Sequence, residues 1–252
     1  MLISIIIPTL NEEATLAAAL APLAERSDVE LIIVDGGSTD HTVEVAQVFT
    51  PYVFVTPRGR ARQMNAGARH ATGDILLFLH ADTVLAPAAL DEIQRRMIGD
   101  GAVGGAFDLQ IGSKKRRYAL IAKISSRRAR WLRLPHGDQG IFVWRQVFEA
   151  LECFPELPIK EDVAFARQLR RAGRLTFLRD GLITSSRRWD ANGMLKTTLV
   201  NWWVSLLFLL RVPPWTVRRT YDRWLVSGHA RPGKSKLLPS GERKLRGDLS
   251  VG

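Results

Sequence analysis

The sequence has a single cysteine, Cys153, in 252 residues, which excludes an internal disulfide framework and a four-cysteine zinc site. A reducing compartment is the natural expectation. Acidic residues are the minority charge, 25 Asp and Glu against 36 Lys and Arg, for a net charge of +11. Such an excess favours anionic partners, whether phosphorylated small molecules, nucleic acids or acidic membrane surfaces, without choosing among them. Long apolar runs are also missing. The opening MLISIIIPTL has no basic flank and no small-residue cleavage site, and Pro8 interrupts it, so it does not read as a signal peptide. The longest apolar stretch near the C-terminus, residues 199–210, stops at Arg211, well short of the roughly 20 residues a spanning helix needs. It reads as buried or interfacial. The protein is expected to be soluble or peripheral, in the cytoplasm, with room for contact at the inner face of an anionic membrane.

What is present is globular: 46% hydrophobic and 24% charged residues, enough for a sizeable core. The first hundred residues alternate short β-branched runs with helical patterns. Strands are expected at 3–7, 30–34, 52–55 and 74–79, with helices between and after them at about 12–24, 41–48, 60–70 and 87–97. Asn11 is expected to cap the first helix. That alternation implies an α/β fold with a mostly parallel sheet covered on both faces. Ligands of such sheets lie at the C-terminal strand ends, so the polar clusters 8–12, 35–40 and 80–82 should converge. Further on, 102–109 reads as a strand and 114–133, with nine Lys/Arg and no acid, as a surface helix. Glu161-Asp162 opens a helix that Gly173 ends. Helices near 193–210 and 215–225 follow, then a polar, basic stretch read as a mobile tail. The expected division is a domain over 1–190, a helical extension over 191–226 and the tail over 227–252.

Two phosphate-binding signatures are absent. Pro8-Thr-Leu-Asn-Glu12 stands where a dinucleotide fold has Gly-x-Gly-x-x-Gly, and there is no Walker loop. Asp35-Gly-Gly-Ser-Thr39 has glycine where a dehalogenase-like phosphatase loop needs its second acid. Asp82 at a strand end is a hard oxygen ligand suited to Mg²⁺ or Mn²⁺, or else the cap of the next helix. Glu161-Asp162 is by itself ordinary decoration of a helix first turn.

Taken together, Ser4-Ile-Ile-Ile-Pro-Thr-Leu-Asn-Glu12, Ile33-Val-Asp-Gly-Gly-Ser-Thr-Asp40 and Gly73-Asp-Ile-Leu-Leu-Phe-Leu-His-Ala-Asp82 resemble, in order and spacing, the opening motifs of family-2 glycosyltransferases. Arg58-Gly-Arg-Ala-Arg-Gln-Met-Asn65, Pro135-His-Gly-Asp-Gln-Gly140 and Ser185-Ser-Arg-Arg-Trp189 are similar to the bacterial arsenosugar-biosynthesis or radical-SAM/selenodomain-associated subgroup. The resemblance implies a GT-A fold, a nucleotide-diphosphate sugar donor, a divalent metal (Mg²⁺ or Mn²⁺) and inversion at the anomeric carbon. Carried over by position, it implies that Pro8, Thr9, Glu12, Asp35, Gly36 and Ala81 line the nucleotide site and that Arg62 approaches the diphosphate. Asp82 would hold the metal, with His80 where the family has its first aspartate. Asp162 would be the base, with Glu161 beside it. Asp138, Gln139, Arg188 and Trp189 are candidate acceptor or diphosphate contacts. Ser185 stands where processive members have glutamine, which argues against a polymer-making enzyme.

The basic run reads first as a solvated helix face, then as a membrane-surface patch helped by Trp202, Trp203, Trp215 and Trp224. Nucleic acid is an unlikely partner, since no base-stacking platform is evident. A nucleotidyltransferase would need a Gly-rich basic loop after the first strand, and none is there. The remaining alternative is a non-catalytic membrane-surface or nucleic-acid binding protein on a transferase-like fold.

Overall fold

A computed structural model describes residues 1–113 and 115–225, apart from the side chain of Arg188. The expected tail at 227–252 lies outside the described residues. The element order among them is β1 (Ile3–Thr9), α1 (Glu13–Leu20), β2 (Val29–Asp35), α2 (Thr42–Phe49), β3 (Val53–Val55), α3 (Arg60–His70), β4 (Ile75–Phe78), β5 (Thr83–Leu85), α4 (Ala88–Gly99) and β6 (Gly104–Phe107). The chain continues with α5 (Arg116–Leu132), a 3-10 turn (Gly137–Gln139), β7 (Ile141–Trp144), α6 (Arg145–Ala150), α7 (Glu161–Ala172), β8 (Leu175–Leu178), β9 (Leu182–Thr184), α8 (Arg187–Asn192), α9 (Met194–Leu209) and α10 (Pro214–Trp224).

Seven strands form one sheet in the order β3-β2-β1-β4-β7-β6-β8. The β3-β2-β1-β4 half is parallel, and only β7 runs against its neighbours. The apolar runs of β1, β2 and β4 are buried on both faces, as a helix-covered parallel sheet requires. Ile3, Ile5 and Ile7 pack with Leu16, Leu20 and Ile93 on one side. Ile6 on the other side packs with Met64, Phe148 and Phe165. This period-2 division places α1 and α4 on one face and α3, α6 and α7 on the other. Gly105 in β6 is forced by space: a Cβ there would lie 2.2 Å from the Thr176 carbonyl oxygen and 2.6 Å from the Phe142 ring.

One local expectation is corrected and one element is added. Asn11 does not cap α1; it adopts φ 53°, and Glu12 holds the N-cap position. The Asn11 side chain instead accepts the Thr39 backbone N–H at 2.8 Å, stitching the first two strand-end loops together. The helix expected at about 87–97 is present as α4, but the sequence reading did not include β5, which lies between Asp82 and that helix and pairs antiparallel with β9, Thr83 opposite Thr184. That two-stranded ribbon is too short and mixed to announce itself in sequence. It matters because it carries α8 back to the C-terminal ends of the main sheet.

Candidate active site

The strand-end clusters converge as expected. Thr9 Oγ1 donates to Asp35 at 3.0 Å, and the Asn11 backbone N–H donates to Ser38 Oγ at 2.8 Å. Next to them opens a cleft of about 670 Å³, within the range of small-molecule sites. Its floor is Pro8, Thr9, Glu12, His80, Ala81 and Asp82 from the ends of β1 and β4. One wall is Arg58, Gly59, Arg60 and Gln63; another is His136, Asp138 and Gln139 with Lys160, Glu161 and Asp162. Arg187 and Trp189 of α8 complete it, with side chains of α5, α9 and α10 at the mouth.

The acidic pair sits where α7 begins. Lys160 takes the left-handed conformation at φ 66° and hands the chain into the helix. Asp162 accepts the Val163 backbone N–H at 2.8 Å and the Gly137 backbone N–H at 2.7 Å. Burial pushes the Asp162 pKa up, but His136, Lys160, the Gly137 N–H and Arg60 together pull it down, to about 2. The adjacent Glu161 goes the other way. It is buried, which raises its pKa against the opposing pull of Arg60, whose guanidinium lies 3.6 Å away. The pKa values of two neighbouring carboxylates are thus pushed in opposite directions, Asp162 down and Glu161 up. Burial lowers the pKa of His136 well below its ordinary value and that of Lys160 as well.

His80 falls on the Asp162 side of the cleft. A Cβ on Gly137 would lie 3.2 Å from His80 Nε2 and 3.4 Å from Asp162 Oδ2, and all three residues line one small hollow behind the cleft. Asp82 lines the same cleft, 3.7 Å from an Arg187 nitrogen that also bonds Glu12 at 3.0 and 2.8 Å. Among the described residues no three His, Cys, Asp or Glu side chains gather as a metal site. One hard carboxylate open to a cleft fits a cation that brings diphosphate oxygens with it, the usual manner of Mg²⁺.

Several candidates have other duties. Both Asp35 oxygens are taken within the chain, by Thr9, by the Ser38 hydroxyl and by the Gly37 and Ser38 backbone N–H groups, so the carboxylate shapes the loop that carries Gly36. Gly36 itself lies against the Gln63 amide, 3.1 Å from where its Cβ would be. Gln139 is buried, donating to the Phe107 carbonyl at 3.0 Å and accepting from the His136 N–H at 3.0 Å. Trp189 is 8% exposed, with its ring edge-on to Tyr118. The side chain of Arg188 is outside the described residues.

Arg62 lies off the cleft lining. Two residues along a helix turn a side chain through 200°. Arg62 therefore leaves the cleft and pairs with Glu156 at 2.9 Å, while Arg60 lines it. Sequence reasoning also passed over Arg60, Lys160 and Arg187. It missed Gln63, whose amide donates to the Thr9 and Val34 carbonyls at 2.8 Å each and clamps β1 to β2. Arg60 and Gln63 lay within a quoted motif; their 3.6-residue phase, combined with the small residues Ala61 and Gly67, was the usable signal.

The profile of "Glycosyl transferase family 2" matches residues 4–150, more than half of the chain. The chain belongs to that family. A "PGL/p-HBAD biosynthesis glycosyltransferase" of Mycobacterium bovis is 46% identical over 91 residues, 32% of this chain and 36% of that protein. The chain thus spans about a third of the length of the mycobacterial relatives it matches. An "Uncharacterized glycosyltransferase" of Haemophilus influenzae is 26% identical over 219 residues, 73% of this chain and 82% of that protein. Among solved structures, S. aureus TarS 1–349 in complex with UDP-GlcNAc has a TM-score of 0.58 at 18% identity, covering 73% and 58% of the two chains. Glucosyl-3-phosphoglycerate synthase from Mycobacterium tuberculosis, with Mn²⁺ and UDP-glucose, has a TM-score of 0.58 at 20% identity, covering 84% and 80%. These likenesses establish the GT-A fold of the chain.

Proposed function

We propose that this glycosyltransferase moves a sugar from a nucleotide-diphosphate sugar to an acceptor hydroxyl with inversion, using Asp162 as base. The supporting observation is that Asp162, held by the Gly137 and Val163 backbone N–H groups, lines the same cleft as Asp82 and Arg187. Pro8, Thr9, Glu12 and Ala81 form the nucleotide side, with Asp35 and Gly36 shaping the loop behind them. Arg60 and Arg187 bring positive charge to the diphosphate. As the acceptor oxygen forms its bond to the anomeric carbon, its proton passes to an Asp162 oxygen. The bond from that carbon to the diphosphate breaks, and the electron pair leaves with the nucleoside diphosphate. A divalent cation, Mg²⁺ or Mn²⁺, would be held by Asp82 and would offset charge on the leaving group. Asp138 and Trp189 stand on the acceptor side.

The narrower likeness to the arsenosugar-biosynthesis subgroup rests on the motifs alone; the relatives described above carry other names. The excess of cations and the lack, among the described residues, of a helix able to cross a membrane fit work beside an anionic membrane. The test is release of nucleoside diphosphate from a panel of UDP-, GDP- and dTDP-sugars with Mn²⁺. Release from one of them, with the product anomer inverted by NMR, supports the proposal. Release from none contradicts it.

A further inference from the structure

Helix α9 is apolar on two sides. One side is buried through Thr197, Val204 and Phe208. The other carries Leu195, Leu199, Trp202, Leu206 and Leu209, each 38–67% exposed. Their spacing of four, three, four and three residues makes one continuous stripe. Trp203 and Leu210 widen it, and Trp215 and Trp224 of α10 are exposed nearby in the chain. Isolated exposed apolar residues need no explanation, but a stripe along a 16-residue helix implies a partner.

We infer that this stripe lies on an anionic bilayer surface. The inference rests on the glycosyltransferase reading only for what it says about the cleft. Charge selects the occupant. Helix α9 contains no acid; Lys196 on α9, Arg211 after it and Arg219 and Arg223 on α10 are exposed, and the exposed Asp222 of α10 is paired with Arg218. The α5 helix contributes exposed Lys123 and Arg127 among Leu120, Ile124 and Trp131, in a segment without acids. Tryptophan with Lys and Arg is the pairing of the membrane interface. A second copy would bring another net +11 to the same place, and the sequence after residue 225 is polar and basic rather than an apolar cover. The helix is too short to cross, so it lies in the interface plane. Asn201 and Trp202 of α9, Trp215 of α10 and Ile121 of α5 line the cleft mouth. Seated this way, the enzyme opens its acceptor side toward the lipid headgroups, which points to a hydroxyl presented at a membrane.

Co-sedimentation of the full chain with vesicles tests this, using phosphatidylcholine alone and with one third phosphatidylglycerol. The comparison variant is Leu199→Gln/Trp203→Gln/Leu206→Gln, whose positions are exposed and outside the cleft lining. Wild type is expected to sediment with the anionic vesicles at least tenfold more than with neutral ones. The variant should stay in solution, with unchanged thermal melting and unchanged nucleoside diphosphate binding by calorimetry. Wild type that ignores both vesicles overturns the inference. So does a variant that sediments as wild type does, which would assign binding to charge elsewhere. A wild-type dimer that the variant converts to monomer without lipid also overturns it, in favour of a second copy. Nucleotide binding reads the transferase proposal separately, because vesicle binding can fail while calorimetry succeeds, and the reverse.

Discussion

One nitrogen of Arg187 donates to both carboxylate oxygens of Glu12, at 3.0 and 2.8 Å, across 175 residues of chain. The contact closes α8 over the end of β1 and places a guanidinium beside Asp82. Arg187→Ala leaves Glu12 almost buried and without this partner. Because the arginine is partly exposed, the expected loss is about 1–2 kcal/mol, below that of a fully buried pair. Urea denaturation measures it, and a midpoint shared with wild type counts against the clip. Glu12→Gln/Arg187→Gln should recover part of the loss.

Asp162 should act through its charge. Asp162→Asn is expected to lower transfer about 10²–10⁴-fold with nucleoside diphosphate affinity little changed. The same carboxylate contributes to stability in a defined pH window. Its folded pKa, about 2, lies below an ordinary value near 3.9. Its contribution is therefore complete above about pH 4 and is lost as pH falls toward 2. Acid titration of unfolding should show wild type and Asp162→Asn converging over that interval. Parallel curves would contradict the assigned environment.

Arg60 and Arg62 separate cleft from surface. Arg62→Ala removes an exposed pair with Glu156 and should cost less than about 0.5 kcal/mol, with nucleotide binding intact. Arg60→Ala should weaken nucleoside diphosphate binding severalfold, as calorimetry would read. The opposite ranking would mean that the diphosphate lies on the other side of α3.

Gly105→Ala tests the sheet that supports the site. With a backbone oxygen on one side and an aromatic ring on the other, the new methyl group should cost about 3 kcal/mol. A melting temperature within a degree of wild type would show that β6 and β8 move apart freely.

Much of this architecture was readable because its signals are local. The α3 and α7 helices begin at Arg60 and Glu161, where sequence places them, and the β-branched runs of β1 and β2 admit little else. The convergence of the loops after β1, β2 and β4 followed from parallel topology alone. What escaped depended on distant partners. Asn11 resembles a helix cap until Thr39 is brought against it. The β5-β9 ribbon exists only as a pair 101 residues apart at Thr83 and Thr184. The four bonds that Asp35 accepts within the chain, one of them from Thr9, show only once β1 and β2 lie side by side. The helix phase sets Arg60 rather than Arg62 in the cleft lining, and only the ribbon reveals which face of α8 brings Arg187 to Glu12.

Calorimetry of UDP, GDP and dTDP, with and without Mn²⁺, on wild type and Asp82→Ala tests the central claim most directly. The account predicts Mn²⁺-dependent binding of one nucleotide, weakened at least tenfold by the substitution. Failure of all three to bind at millimolar concentration with Mn²⁺, or binding indifferent to both metal and Asp82, would contradict it.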